Sequence, residues 1–176
     1  EIDHARSTNG VNQEDPISRK MKNPQLLQII RKQFALDWYG IHGWPHWNRV
    51  RENGLRLAAQ TGARPRVVEL FAWLHDSRRL NDGEDPGHGP RAARFARSLA
   101  GTAFELDAPD LELLVEACRC HSQGLMEGDI TLLTCWDADR LDLGRVGIRP
   151  RPDLLCTKAA RDPRRANGHF AEAWND

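Results

Sequence analysis

The sequence has no long apolar run, no stretch that alternates at period two, and no excess of charge of either sign. Its longest apolar stretch, around Val67 to Leu74, is broken by Glu69 and falls far short of the roughly 20 residues that a membrane-spanning helix needs. Without alternation, a half-buried sheet is not expected. The 25 basic and 25 acidic residues cancel, so no net field draws the chain to nucleic acid or to an acidic membrane. Cysteine is scarce: Cys118, Cys120, Cys135 and Cys156 crowd into the C-terminal half without a paired framework, and no secretory signal precedes them. Reduced thiols in a soluble, cytoplasmic protein are the expectation. Cys118-Arg119-Cys120-His121 lacks the second Cys/His pair of a structural zinc site. Internal repeats and low-complexity tracts are absent as well.

What is present reads as helix. The 176 residues are enough for one domain with a buried core. Residues 1–20 are polar and aperiodic, the composition of a flexible tail. Met21 marks a candidate native start, so the domain is expected over residues 21–176. Pro24, Pro45, Pro65, Pro90 and Pro109 stand where a first helical turn tolerates proline. The pattern predicts helices over about 24–38, 45–61, 65–80, 90–101, 109–122, 129–143 and 153–161, an all-α bundle. Asn81 to Gly89 is the clearest loop. The six tryptophans are scattered along helical stripes, as core residues would be.

Chemistry gathers on a few polar residues carried inward. Val68, Phe71, Ala72 and His75 fall on one helical stripe. His75 and Asp76 are adjacent, so on a helix they diverge by about 100° and can approach one cation from neighbouring directions. His46 directly follows Pro45, His88 and His121 fall at loop or helix-end positions, and Asp139 lies among Leu132, Trp136 and Leu143. Buried carboxylates are costly unless paired or coordinated, and a divalent cation offsets that cost for several side chains at once. Asp137 shares a stripe with Leu133 and Leu141, so periodicity does not choose between Asp137 and Asp139.

The order His46, His75-Asp76, Asp139 resembles the signature of the HD superfamily of metal-dependent phosphohydrolases, and in particular its small single-domain members. Three stretches carry the resemblance: HGWPHWNRV, WLHDSRRLNDGEDPGHGPRAA and WDADRLDLGRVG. It implies a helical HD-type bundle around a metal pocket, with His46, His75, Asp76 and Asp139 holding Mn, Fe, Co, Ni, Mg or Zn. Asp139 is favoured because the family's last ligand usually stands between Ala and a basic residue, as it does here between Ala138 and Arg140. Asp137 would then orient a ligand or a water. In binuclear relatives two further histidines bind a second metal, and His88 and His121 supply both in order. Only twelve residues separate Asp76 from His88, which looks short for that arrangement, so one cation per chain is favoured over two, with His88 and His121 as catalytic groups facing the substrate.

The implied activity is hydrolysis of a small-molecule phosphate ester, foremost a nucleotide, by a metal-activated water. Asp76 would share in the catalysis as a ligand. Arg79 and Arg140 are the first candidates for binding phosphate, with Arg49 and Arg91 behind them. His42 would line the pocket mouth, since Pro45 disfavours helix at Trp44. Two alternatives stay open: a di-iron oxygenase on the same fold, and a signalling module without catalysis. The resemblance also implies that a homodimer is an option.

Overall fold

A computed structural model describes residues 24–162, so the tail expected over residues 1–20 lies outside the described part. Within it the order is α1 (Pro24–Gln33), α2 (Trp44–Thr61), α3 (Pro65–Leu74), α4 (His88–Leu99), α5 (Ala108–Cys120), α6 (Ile130–Arg140) and the short α7 (Lys158–Arg161), with 3-10 turns at Leu143–Val146 and Pro152–Leu154. Sheet is absent among the described residues apart from one isolated bridge between Ala100 and Phe104. None of their helices is long and apolar enough to cross a membrane.

Local chemistry explains the helix starts. Proline occupies the first turn of α2, α3 and α5, where its missing N–H costs nothing. Side-chain caps reinforce the start of α5 and close those of α6 and α7: Asp107 accepts from Asp110 N, Asp129 from Thr131 N and Thr157 from Ala160 N. At the far end of α2, Gly62 takes φ +78° and returns its N–H to Ala58 O, a left-handed cap that favours glycine.

Helix α3 is the centre of the bundle. Every residue from Val67 to Leu74 is buried, and α2, α5 and α6 pack around it. Val68, Leu70, Phe71, Trp73 and Leu74 lose all exposure, each contributing about 1.5–3 kcal/mol of burial free energy. Two glycines permit the close approaches. A Cβ on Gly54 of α2 would sit 2.5 Å from Val68 Cγ1 of α3, and one on Gly89 of α4 would sit 2.7 Å from Arg119 O of α5.

The consequence for function is that five helix ends meet. His46 lies in the first turn of α2, His75 and Asp76 directly follow α3, His88 opens α4, His121 directly follows α5, and Asp139 is in the last turn of α6.

Candidate metal centre

Helix ends leave backbone carbonyls unpaired, and the site uses them to aim its imidazoles. His75 Nδ1 donates to Phe71 O and Ala72 O at 3.2 and 3.0 Å. His121 Nδ1 donates to Cys118 O at 2.8 Å, and His88 Nδ1 to Asp85 O. His46 Nδ1 donates to the Asp142 carboxylate at 2.7 Å. With Nδ1 committed as donor in all four rings, each neutral imidazole carries its lone pair on Nε2.

Those lone pairs face one another. His46 Nε2 and His75 Nε2 are 3.0 Å apart, and His88 Nε2 and His121 Nε2 are 2.8 Å apart. Both pairs converge on Asp76. Its Oδ2 is 3.6 Å from His46 and 3.8 Å from His75, while its Oδ1 is 3.4 Å from His88 and 3.5 Å from His121. Asp139 Oδ1 completes the first group, 3.4 Å from His46 Nε2 and 3.7 Å from His75 Nε2. Donors about 2.1 Å from a shared cation stand about 3.0 Å apart at right angles and about 3.4 Å apart in a tetrahedron. The observed separations, 2.8–3.8 Å, scatter about that spacing. Facing lone pairs repel unless a cation or proton lies between them, and Asp76 Oδ1 is buried without a hydrogen-bond partner. The residues therefore fit a cation at either of two groups that share Asp76: His46, His75 and Asp76, and Asp76, His88 and His121, with Asp139 Oδ1 beside the first.

Electrostatics favour the cation-accepting forms of His75, His88, Asp76 and Asp139, whereas His121 is biased toward its protonated form by the carboxylates around it. Burial drives His75 down to about 3, despite the carboxylates of Asp76 and Asp139 beside it, so the ring is neutral. Burial works against the charge on Asp76, but His75, His121 and His42 outweigh it and hold the carboxyl well below its usual range. The same opposition leaves Asp139 lowered, mainly through His75 and His46. Burial and the neighbouring His121 lower His88. For His121 burial is outweighed by Asp76 and Asp139, and its pKa rises.

A cavity of about 360 Å³ opens over this cluster, with Asp76, His88, His121 and Asp139 in its wall. His46 and His75 are fully buried behind them. Of the other residues singled out from sequence, His42, Arg79 and Arg140 line the cavity. His42 stands in the α1–α2 connection with Nδ1 3.0 Å from Asp76 Oδ2 and Nε2 3.3 Å from Asp82 O.

Three candidates are placed otherwise. Asp137, expected to orient a ligand or a water, instead accepts the N–H groups of Cys156 and Thr157, both at 2.7 Å. It pins the C-terminal segment, and Asp139 alone of the two reaches the cluster. Arg49 binds Asp142 through Nε at 2.7 Å and a second nitrogen at 3.1 Å. Arg91 binds Asp85 and the carbonyl of Arg78, which ties the loop after α3 to α4.

Sequence reading did not single out Asp142 or Arg145. Asp142 performs the task expected of Asp137, because its buried carboxylate fixes the ring of His46. The available signal was its spacing: it lies one helical turn beyond Asp139, where a ligating histidine needs a carboxylate for its other nitrogen. Arg145 lines the cavity and donates to Ile41 O and Asp142 O at 2.9 and 3.1 Å.

No family model matches the sequence, and no curated protein matches it. Among solved structures, the chain is similar to the crystal structure of a predicted HD superfamily hydrolase from an uncultured Thermotogales bacterium. Identity is 26%, the match covers 84% of each chain, and the TM-score is 0.63. The described helices thus have the HD-superfamily fold, and the His and Asp residues of this chain stand in the order by which its sequence resembles that superfamily.

Proposed function

We propose that the chain is a metal-dependent phosphohydrolase acting on a phosphate ester, with a nucleotide as the expected substrate class. The observation that carries this reading is the convergence of four Nε2 lone pairs on the two oxygens of one buried carboxylate, Asp76. It supports two cations per chain, with Asp76 between them, although the short spacing from Asp76 to His88 had favoured one. Divalent cations in such a pair supply Lewis acidity and bring the pKa of a water toward neutrality.

The chain's own residues supply the remainder. Asp142 keeps His46 in the ligating tautomer. Arg79, 8% exposed and 3.7 Å from Asp76 Oδ1, offers a fixed positive charge to a phosphate oxygen. His42 lines the cavity with its ring anchored between Asp76 and Asp82 O. The free cysteines, three of them buried, suit a reducing cytoplasm.

The test is a screen of phosphate esters against Mn, Co, Fe, Mg and Zn, with Asp76→Ala as control. Turnover is expected in the parent and its loss in the variant, which keeps its helical circular dichroism. Equal activity in both would place the chemistry elsewhere. The six-residue set also favours a second reading, a di-iron oxygenase. Two irons per chain, oxygen consumption and no ester hydrolysis would select it.

A further inference from the structure

The arginines divide by what accepts their hydrogen bonds. Arg49, Arg51, Arg91, Arg97 and Arg151 each meet a carboxylate at 2.5–2.8 Å, and their charge is locally cancelled. Arg79, Arg140 and Arg145 are instead fixed by backbone carbonyls. Arg79 donates to Asn81 O and Gly83 O at 3.3 and 2.6 Å. Arg140 donates to Leu125 O and Leu154 O at 2.6 and 3.1 Å, and Arg145 to Ile41 O and Asp142 O. The carboxylates near Arg79 and Arg145 stand off at 3.7 and 3.9 Å, and both are engaged by imidazoles. Arg78 and Arg161 are also held by carbonyls, but neither lines the cavity.

A carbonyl fixes a guanidinium without neutralising it. Three such cations line one cavity, opposed by the carboxylates of Asp76 and Asp139 in the same wall; a cation on the ligand cluster would offset those carboxylates and leave the arginines' charge in excess. The cavity, about 360 Å³, is near the lower end of the range of about 300–1,000 Å³ for small-molecule sites. Leu143 and Val146 flank Arg145 on the 3-10 turn and give the same wall an apolar part. A phosphomonoester presents two negative charges, three terminal oxygens and one ester arm. A diester presents one charge, two terminal oxygens and two arms.

We infer that the substrate is a phosphomonoester taken up as its dianion, its single arm resting against Leu143 and Val146, and that Arg145 is one of three guanidiniums binding it. This rests on the phosphohydrolase reading and narrows it. Clefts lined by preorganised donors reward the anion with more charge to distribute.

The experiment is calorimetric binding of phenyl phosphate and diphenyl phosphate to the Mn-loaded protein, with hydrolysis of both followed in parallel. Phenyl phosphate is expected to bind at least tenfold more tightly. Arg145→Gln should weaken it at least tenfold with Mn content unchanged, and Arg145→Lys should recover part of the loss. Equal or tighter binding of the diester overturns the inference, as does binding of neither ester. Unchanged affinity in Arg145→Gln removes Arg145 from the site. The comparison of esters uses the parent protein and so stands even where a variant fails to fold. Tight monoester binding without hydrolysis refutes the phosphohydrolase reading alone, whereas preferential diester hydrolysis refutes the monoester inference alone.

Discussion

Replacing Asp142 by Asn tests whether the cluster is a metal site or a buried polar knot. The carboxylate accepts His46 Nδ1 at 2.7 Å through Oδ2 and Arg49 Nε at 2.7 Å through Oδ1. Asn has one acceptor oxygen for these two donors. If its oxygen serves Arg49, its amide N–H faces His46 Nδ1, and the ring must move its proton to Nε2. The lone pair aimed at the cluster is then lost. Removing such a partner costs about 10–100-fold in metal affinity, or about 1.4–2.7 kcal/mol. The loss should fall on the position shared by His46, His75 and Asp139, leaving that beside His88 and His121 less affected. Titration of the apoprotein with Mn or Co against a competing chelator resolves the two steps. Asp137→Asn is the matched control, because its carboxylate serves the C-terminal segment at Cys156 and Thr157 rather than a histidine of the cluster. It should lower stability and leave affinity unchanged. If Asp142→Asn binds metal within twofold of the parent, or if Asp137→Asn weakens binding equally, the reasoning fails.

Two further perturbations probe the scaffold. In Gly89→Ala the new methyl meets Arg119 O at 2.7 Å and Cys118 O at 2.9 Å, forcing α4 from α5; a loss of about 1–3 kcal/mol in urea unfolding, together with weaker binding at the His88–His121 position, is expected, and unchanged stability would refute the close approach. At Asp85, burial opposes the charge, but the Arg91 guanidinium and Leu80 N–H outweigh it and hold the pKa below the usual range. A lowered folded pKa contributes stability above the unfolded value of about 3.9 that is lost as pH falls through the folded one. The destabilisation caused by Asp85→Asn should accordingly shrink on acidification through that window, and a difference constant with pH would contradict the assignment.

The sequence made helix starts more legible than helix ends. Prolines and caps act within a few residues, so starts at Pro24 and Pro65 fell where expected. Ends were overrun: α1 stops at Gln33 rather than near 38, α3 at Leu74 rather than near 80, and α6 at Arg140 rather than near 143. No glycine or proline marks these stops. Helix α3 is turned aside after His75, where Ser77 N and Oγ both bond back to Leu74 O, a turn whose purpose is to present Asp76. The convergence of these His and Asp side chains was legible only through the resemblance, because it depends on contacts such as His46 to Asp142, 96 positions apart. The short Asp76–His88 interval does not keep His88 from the cluster, because chain distance is not spatial distance. The intervening loop folds back on itself, with Arg79 holding Asn81 O and Gly83 O, and Asp85 holding Leu80 N.

The most direct measurement is anomalous diffraction from crystals of the protein loaded with Mn or Fe. Two peaks are expected, one beside His46, His75 and Asp139, the other beside His88 and His121, each next to a different oxygen of Asp76. A single peak would contradict the bridging role of Asp76, and a folded protein with no peak among these six side chains would contradict the metal centre itself.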